Sequence, residues 1–386
     1  FLTSYEYISF ISLIGSLFVV SGGVHLRIRG KSTPLGNVAL LSTGAVIANI
    51  LGTTGASMLL IRPFLRMNNY RIKGYHVVFF IFLVSNIGGA LTPIGDPPLF
   101  LGFLKGVPFF WIISRVSTIW ILTIGMILLI FYIIDVYYFR KESARVKKTA
   151  IEIDEPEVSG LHNIVFLFII IAAVFIESPA PLMLREVLMW SAALASYLTT
   201  RKEIHEKNDF NFTPLKEVAI LFAGIFATMI PALDWLELHA AQIGIVTPGQ
   251  YFWGSGILSS VLDNAPTYLN FLTAAFGLHG ANVDNVQHMN CILGLTTPAI
   301  AGLPNPLQSG AMEITSQSWR YVQAISVGAV FFGAVTYIGN GPNFMVKSIA
   351  EQSGVPCPSF FGYIVKYSLP ILIPIFAYIW YLFFRM

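Results

Sequence analysis

Residues 85–99 read SNIGGALTPIGDPPL, and the reading of this stretch decides the fold. It sits inside an apolar run that starts near Tyr75 and resumes as far as Leu104. Three glycines, three prolines and one carboxylate, Asp96, fall within it. A helix crossing a bilayer satisfies its backbone groups only while it stays helical. Pro93, Pro97 and Pro98 carry no backbone N–H, and with Gly95 they break the ladder over about two turns. Irregular backbone at membrane depth is tolerated only where it lines a cavity or is buried in protein. An acid in such a place is a functional hypothesis by default.

The rest of the composition agrees with a membrane setting. The 386 residues are 55% hydrophobic and 11% charged, against about 25% charged in soluble domains. Apolar spans are expected at 6–23, 109–134, 161–182, 185–200, 217–233 and 361–384, each near the ~20 residues that cross a hydrocarbon core. Residues 35–66 are apolar but interrupted by LGTTGAS at 51–57. Their two arms, about 16 and 9 residues, are short for spans, which predicts a re-entrant hairpin. A second interrupted hairpin is expected at 247–276, with LDNAPT (262–267) at its break, and a second broken span at 320–350, interrupted at YIGNGPN (337–343). Residues 277–318 read as a long, weakly charged outer loop.

With both hairpins re-entrant, 18 of the 23 Lys and Arg fall on one side, leaving Lys105, Arg115, Arg185, Arg320 and Arg385 on the other. The positive-inside bias makes the first side cytoplasmic. His25 and His76 fall near cytoplasmic span ends and read as interfacial, and Glu177 as a membrane-edge acid or a proton relay. Cys291 and Cys357 are placed on opposite sides, so no disulfide is expected.

The two breaks repeat each other. GALTPIGDPPL (89–99) matches GAVTYIGNGPN (333–343), with Asp96 aligned to Asn340. Upstream, residues 33–57 parallel 247–267, and the order span, hairpin, broken span, span recurs. The expected fold is therefore an all-α polytopic membrane protein with inverted-topology repeats, each holding a re-entrant hairpin and a broken transmembrane helix. Residues 1–139 form the first repeat, 140–160 a cytoplasmic linker and 161–386 the second repeat. The second repeat has a helix pair that the first lacks, so about two further helices are expected upstream of Phe1. Paired broken helices in inverted repeats point to the substrate site of a secondary transporter.

Broken helices present carbonyls to cations and N–H groups to anions, and hydroxyl and amide side chains complete a cation shell. The candidate suppliers are Thr53, Thr54, Ser57, Asn86, Thr92 and Asp96 in the first repeat. In the second they are Ser260, Asp263, Asn264, Thr267, Thr336, Asn340 and Asn343. Asp96 and Asp263 are the expected sodium ligands. An acid at mid-membrane costs about 2.5–3.5 kcal/mol on insertion scales, and a bound sodium ion or proton offsets it. Each acid could also simply cap a half-helix. No phosphate loop, nucleophile elbow or zinc motif is present in the sequence, which gives an ATP-driven pump or a hydrolase no support.

SNIGGALTPIGDPP and SSVLDNAPTYLNFL resemble the signature segments of the ion transporter superfamily. That group includes NhaD-type sodium/proton antiporters, arsenite permeases, citrate-metal transporters and divalent-anion/sodium symporters. The symporters carry a Ser-Asn-Thr motif at each hairpin tip, where this chain has TTGAS (53–57) and DNAPT (263–267). They carry a neutral threonine where Asp96 stands and an asparagine where Leu99 stands. The PIGD and DN-x-P patterns are closer to the antiporters. The resemblance implies sodium/proton antiport, with a sodium- or proton-coupled carboxylate (citrate-like) symporter as the alternative and an oxyanion permease as a third reading. It also implies a homodimer and an elevator-like movement. The expected setting is the inner (plasma) membrane, with the bilayer, sodium ion, proton and a small carboxylate as partners, no nucleic acid, and no cofactor.

Overall fold

The structure is a computed structural model that describes residues 2–27, 32–143, 157–176, 183–208, 210–239, 242, 244–303 and 311–385. The helices in chain order are α1 (Leu2–Gly22), α2 (Pro34–Met67), α3 (Gly74–Leu83), α4 (Pro97–Leu104), α5 (Phe109–Lys141), α6 (Asn163–Val174), α7 (Leu184–Thr199), α8 (Lys202–Lys207) and α9 (Thr213–His239). After them come α10 (Pro248–Ser259), α11 (Asn264–Leu278), α12 (Val286–Ile292), α13 (Pro298–Ala301), α14 (Trp319–Phe332), α15 (Gly341–Gln352), α16 (Phe360–Tyr363) and α17 (Ile373–Phe383). A π-helical run, Ile364–Leu372, joins the last two around Pro370. One short antiparallel ladder pairs β1 (His25–Arg27) with β2 (Glu157–Ser159), His25 facing Ser159. Six helical stretches among the described residues are long and apolar enough to cross a bilayer. The chain is an all-α, multi-pass membrane protein.

One of those six, α2, is not a straight rod. Thr33 opens it, its Oγ1 accepting from Gly36 N at 3.2 Å ahead of Pro34 at the first helical position. At Gly52 the backbone turns to φ 73°, ψ 157°, a region open essentially to glycine alone. The chain then runs back beside itself. Asn37 and Asn68 exchange amide hydrogen bonds of 2.9 and 2.8 Å. A Cβ on Gly44 would lie 3.1 Å from Leu60 Cδ1. Residues this far apart in sequence would be tens of ångströms apart along a straight helix, so α2 is a helical hairpin. Helices α10 and α11 form a second one. Thr247 and Gln250 close a capping box at its start. A Cβ on Gly254 would meet the Phe271 ring at 2.9 Å, so the arms touch.

The two interrupted helices share one local design. The first runs from α3 through a 3-10 turn, Ile87–Leu91, to α4. The second runs from α14 through Gly333–Val335 to α15. The turns end at Leu91 and Val335 and the next helices start at Pro97 and Gly341, so each boundary recurs at the offset of 244 residues that separates Asp96 from Asn340. The break falls where proline and glycine withdraw donors and relax φ, as the sequence pattern requires.

By compactness the chain divides into two units, each drawn from several separate stretches of sequence. The first holds Phe1–Gly89, Ile124–Ala223 and Pro342–Ser359, and the second Ala90–Thr123, Gly224–Gly341 and Phe360–Met386. In the first, α1 packs on α2, α6 and α7, and Asn163 ties three segments together through Gly23 O (2.8 Å), Thr200 Oγ1 (2.9 Å) and Ser196 Oγ (2.6 Å). In the second, α14 packs against α10, α11 and α4. There Gly328 admits the Phe252 carbonyl and Gly256 the Phe332 ring.

Several expectations change. The stretch 277–318 is not a plain loop: Asn285 Oδ1 accepts from Gln287 N and His288 N and so starts α12. Helix α5 continues past residue 134 to Lys141. His76 is not interfacial but fully buried, with Nε2 3.3 Å from Asp135 Oδ1. His25 is also buried, with Nδ1 2.8 Å from Asn208 Oδ1. Arg71, counted among the loop charges, turns inward and is 5% exposed. Most of the 140–160 linker (144–156), and Glu177, lie outside the described residues. Cys291 and Cys357 are free thiols. Burial and the Glu351 carboxylate push the Cys357 thiol up to about 11. Its alkylation rate is therefore expected to climb about tenfold per pH unit between pH 7 and 10. A rate that levels off near pH 8.5 in a pH-resolved iodoacetamide series would contradict that environment.

Candidate functional site

Each unit gathers its own cluster of buried polar side chains. In the second unit the centre is Asp96, 1% exposed, at the start of α4. Acids favour this position because they cap helices, yet the Asp96 side chain does not cap α4. Pro97 and Pro98 supply no N–H there. The carboxylate instead accepts from Asn264 Nδ2 on Oδ2 at 2.6 Å and from Asn340 Nδ2 on Oδ1 at 3.0 Å. Asn340 is the residue that the repeat makes equivalent to Asp96, so the two matched breaks meet through a direct hydrogen bond. Asn264 comes from the tip of the second hairpin. Beside them Thr336 Oγ1 donates to Ser260 O at 2.6 Å and accepts from Gly339 N at 3.1 Å, tying the break to the same tip.

In the first unit the centre is Asn86, fully buried. Its Nδ2 donates to Ile81 O at 2.9 Å and to Asn343 Oδ1 at 2.6 Å. Ser57 and Ser85 share a 2.8 Å hydrogen bond, and Asn49 Nδ2 donates to Gly88 O at 2.7 Å. These bonds hold the tip of the first hairpin on the first break. Close approach there needs Gly88, where a Cβ would stand 2.3 Å from Leu83 O and 2.7 Å from Ala45 Cα. Thr53 is buried in the same tip and Thr54 is half-buried.

The amides of Asn86 and Asn264 have a feature in common. In each, the bonds made by Nδ2 fix which end is nitrogen. In each, the buried Oδ1 has no hydrogen-bond partner. Such an orphaned carbonyl oxygen costs about 1–3 kcal/mol. Amide oxygens, hydroxyls and carboxylates are the ligand types of hard cations, so both clusters have the donor chemistry for a cation such as sodium. Only the second holds an acid among these residues. No group of three or more His, Cys, Asp or Glu side chains suited to a transition metal occurs among the described residues.

The sequence candidates fall into three sets. Asp96, Asn264 and Asn340 meet in the second unit, with Ser260 and Thr336 beside them. Asn86 and Asn343 meet in the first, with Ser57 and Thr53 close by in the tip. Three others are engaged locally. Asp263 Oδ1 accepts from Ala265 N at 3.0 Å and so caps α11, Thr267 Oγ1 donates to Asp263 O at 3.0 Å, and Thr92 Oγ1 accepts from Gly95 N at 3.1 Å. The acid at the second hairpin tip thus serves its helix, and its neighbour Asn264 reaches Asp96. Sequence reasoning missed Asn49, Ser85 and Asp135. For Asn49 the available signal was a lone polar residue inside an apolar arm.

Fold and site together define a multi-pass membrane protein whose two helical hairpins and two interrupted helices carry buried amide and carboxylate groups. Over residues 2–384 the chain belongs to the family CitMHS_2, described as "Putative citrate transport". It is similar to an uncharacterized transporter of Synechocystis, 24% identical over 309 residues, which are 77% of this chain and 65% of that protein. It is also similar to an uncharacterized transporter of Mycobacterium tuberculosis, 22% identical over 367 residues, 89% of this chain and 78% of that protein. The chain's match to the Synechocystis relative thus spans just under two thirds of that relative's length.

Proposed function

We propose that this chain is the core of a secondary transporter of the inner (plasma) membrane that exchanges sodium ion for protons. The observation that carries this reading is Asp96, a buried carboxylate at a helix break, held by amides from the second break and the second hairpin. A proton and a sodium ion compete for one such carboxylate, which is the requirement for exchange. The adjoining Asn264 oxygen supplies a second cation ligand. The doubling back of α2 and the touching arms of α10 and α11 support reading both hairpins as re-entrant. The matched boundaries of the two interrupted helices support the repeat, whose inverted topology is taken from the charge bias. A homodimer with an elevator-like movement follows from the superfamily resemblance.

The family description favours a second reading, coupled symport of citrate or a similar small carboxylate. One reconstitution separates them. Proteoliposomes are given a sodium gradient while internal pH and labelled citrate are followed together. Exchange predicts alkalinisation or acidification that follows the gradient's direction, with no citrate uptake. Sodium-driven citrate accumulation would replace the first reading by the second. Under exchange, raising the pH removes the competing proton, so the half-saturating sodium concentration falls. Replacing Asn264 with Ala removes one neutral ligand. It is expected to raise half-saturating sodium about tenfold, the equivalent of about 1.4 kcal/mol, with a smaller change in maximal rate. An unchanged sodium dependence would remove Asn264 from the site.

A further inference from the structure

Asp135 lies on α5 within an apolar span, and its side chain is fully buried. Its Oδ1 accepts from Arg71 Nη1 at 2.5 Å and from Tyr75 Oη at 2.6 Å. Its Oδ2 accepts from Arg71 Nη2 and from Asn37 Nδ2, both at 2.9 Å. His76 Nε2 stands 3.3 Å from Oδ1. A buried carboxylate is retained where its charge is paired and its lone pairs are filled, and here both conditions hold.

The side chains around Asp135 come from separate parts of the chain. Asn37 belongs to the entering foot of the first hairpin. Arg71 follows the leaving foot, and Tyr75 and His76 open α3. The feet are also bonded to each other. Beyond the Asn37–Asn68 pair, Ser32 Oγ donates to Asn68 Oδ1 at 2.9 Å, and Arg71 Nε donates to Ser32 O at 2.7 Å. One carboxylate on α5 therefore closes both feet of the hairpin onto α3. The second hairpin is held differently. Among the described residues, the long-range bonds at its feet include three to backbone carbonyls: Tyr321 Oη to Val246 O at 2.7 Å, Met312 N to Leu278 O at 2.8 Å, and the Arg320 guanidinium to Phe383 O. A cavity of about 330 Å³ lined by Pro248, His279, Met312 and Tyr321 adjoins them.

We propose that Asp135 is a positioning residue for the first hairpin. It clamps the feet, about 22 Å of helix from the Gly52 turn, so that Asn49 and Ser57 keep their places on Gly88 and Ser85. The inference rests on the reading that this tip serves a cation. A hairpin bonded at tip and feet to the same helix behaves as one stiff strut. Loosening the feet lets the tip wander and spreads the cation ligands. In the second hairpin no such clamp is needed, because Asn264 is held on Asp96 directly.

The test uses the whole chain in liposomes with Cys291→Ser and Cys357→Ser. Nitroxide labels go on Leu35→Cys and Tyr70→Cys, beside the two feet and 67% and 63% exposed before substitution. The interspin distance distribution is compared with that of D135N and of the double variant R71M/D135L. The double variant removes both charges together, a change that buried ion pairs commonly survive. Sodium-dependent proton flux is measured on the same preparations. The clamp predicts a narrow distribution in the parent and a broadened one in both variants. It also predicts a half-saturating sodium concentration raised about 2- to 30-fold with maximal rate within about twofold. A narrow distribution in both variants overturns the proposal. So does broadening with an unchanged sodium dependence, which would leave a clasp with no bearing on the cation. If the parent itself shows no sodium-dependent flux, the exchange reading fails, and the distance distributions alone decide the clamp.

Discussion

Asp96→Asn is expected to cut sodium-dependent proton flux by about 100-fold or more while the protein still folds. The carboxylate brings a formal charge to its cluster. Removing one unit charge about 4 Å from a cation, at an effective dielectric near 20, removes about 4 kcal/mol of attraction. Part of this returns because an amide costs less to desolvate than a carboxylate, which leaves roughly two decades in affinity. The hydrogen bonds add to the loss. Asp96 accepts from two amide nitrogens, Asn264 Nδ2 and Asn340 Nδ2. A substituted amide would present a nitrogen to one of them, so one side chain must flip. If Asn264 flips, its free Oδ1 turns away from the cation and its Nδ2 takes that place. The variant is also expected to lose the pH dependence of whatever flux remains. The parent serves as control in a pH-jump assay, and size-exclusion elution with the thermal midpoint confirms folding. Flux near the parental rate in a folded Asp96→Asn protein would move the exchanging group elsewhere.

What could be read beforehand followed from local chemistry. Pro93, Pro97 and Pro98 announce their own effect, since a missing N–H acts at its own position. The break in 85–99 was legible for that reason, and glycine with Pro342 marks the interruption expected at 337–343. Gly52 and the short arms around it likewise marked the turn of α2. What escaped depended on partners distant in sequence. Asp135 lies just past the apolar stretch 109–134, and nothing local marks it until Arg71, 64 residues away, is found on it. His76 and Arg71 turn inward for the same reason, because burial is set by what packs around a side chain. Asp263 and Asn264, both expected at the site, differ in what they hold. The acid at a helix start captures the free N–H of Ala265, which leaves its neighbour to face Asp96. The pairing of β1 with β2 joins Arg27 to Glu157 across more than a hundred residues, and neither segment carries a strand pattern long enough to announce it.

Gly52→Val is expected to cause the largest loss of folded, correctly oriented protein of any single substitution in the first hairpin. At φ 73°, ψ 157° a β-branched side chain meets its own backbone, and such strain costs of order 1–3 kcal/mol or more. The alternative is close at hand. Without the turn, the 34 residues of α2 would make a continuous helix of about 51 Å, ample for a full crossing. Under the re-entrant reading that crossing sends Arg66, Arg71 and Lys73 to the wrong side, against the charge bias that orients the chain. It also separates Asn37 from Asn68 and leaves Asp135 without half its donors. Tyr70→Cys in a Cys291→Ser, Cys357→Ser background reports the outcome through a membrane-impermeant maleimide. In the parent, residue 70 should label from the cytoplasmic side alone. With Gly52→Val, a large fraction should label from the other side or be degraded, and Gly52→Ala should fall between. Gly125→Ala on α5, where a Cβ meets open space, should leave labelling unchanged and stabilise by up to about 1 kcal/mol. If Gly52→Val labels and melts as the parent does, α2 does not depend on its glycine turn, and the re-entrant reading of the first hairpin fails with it.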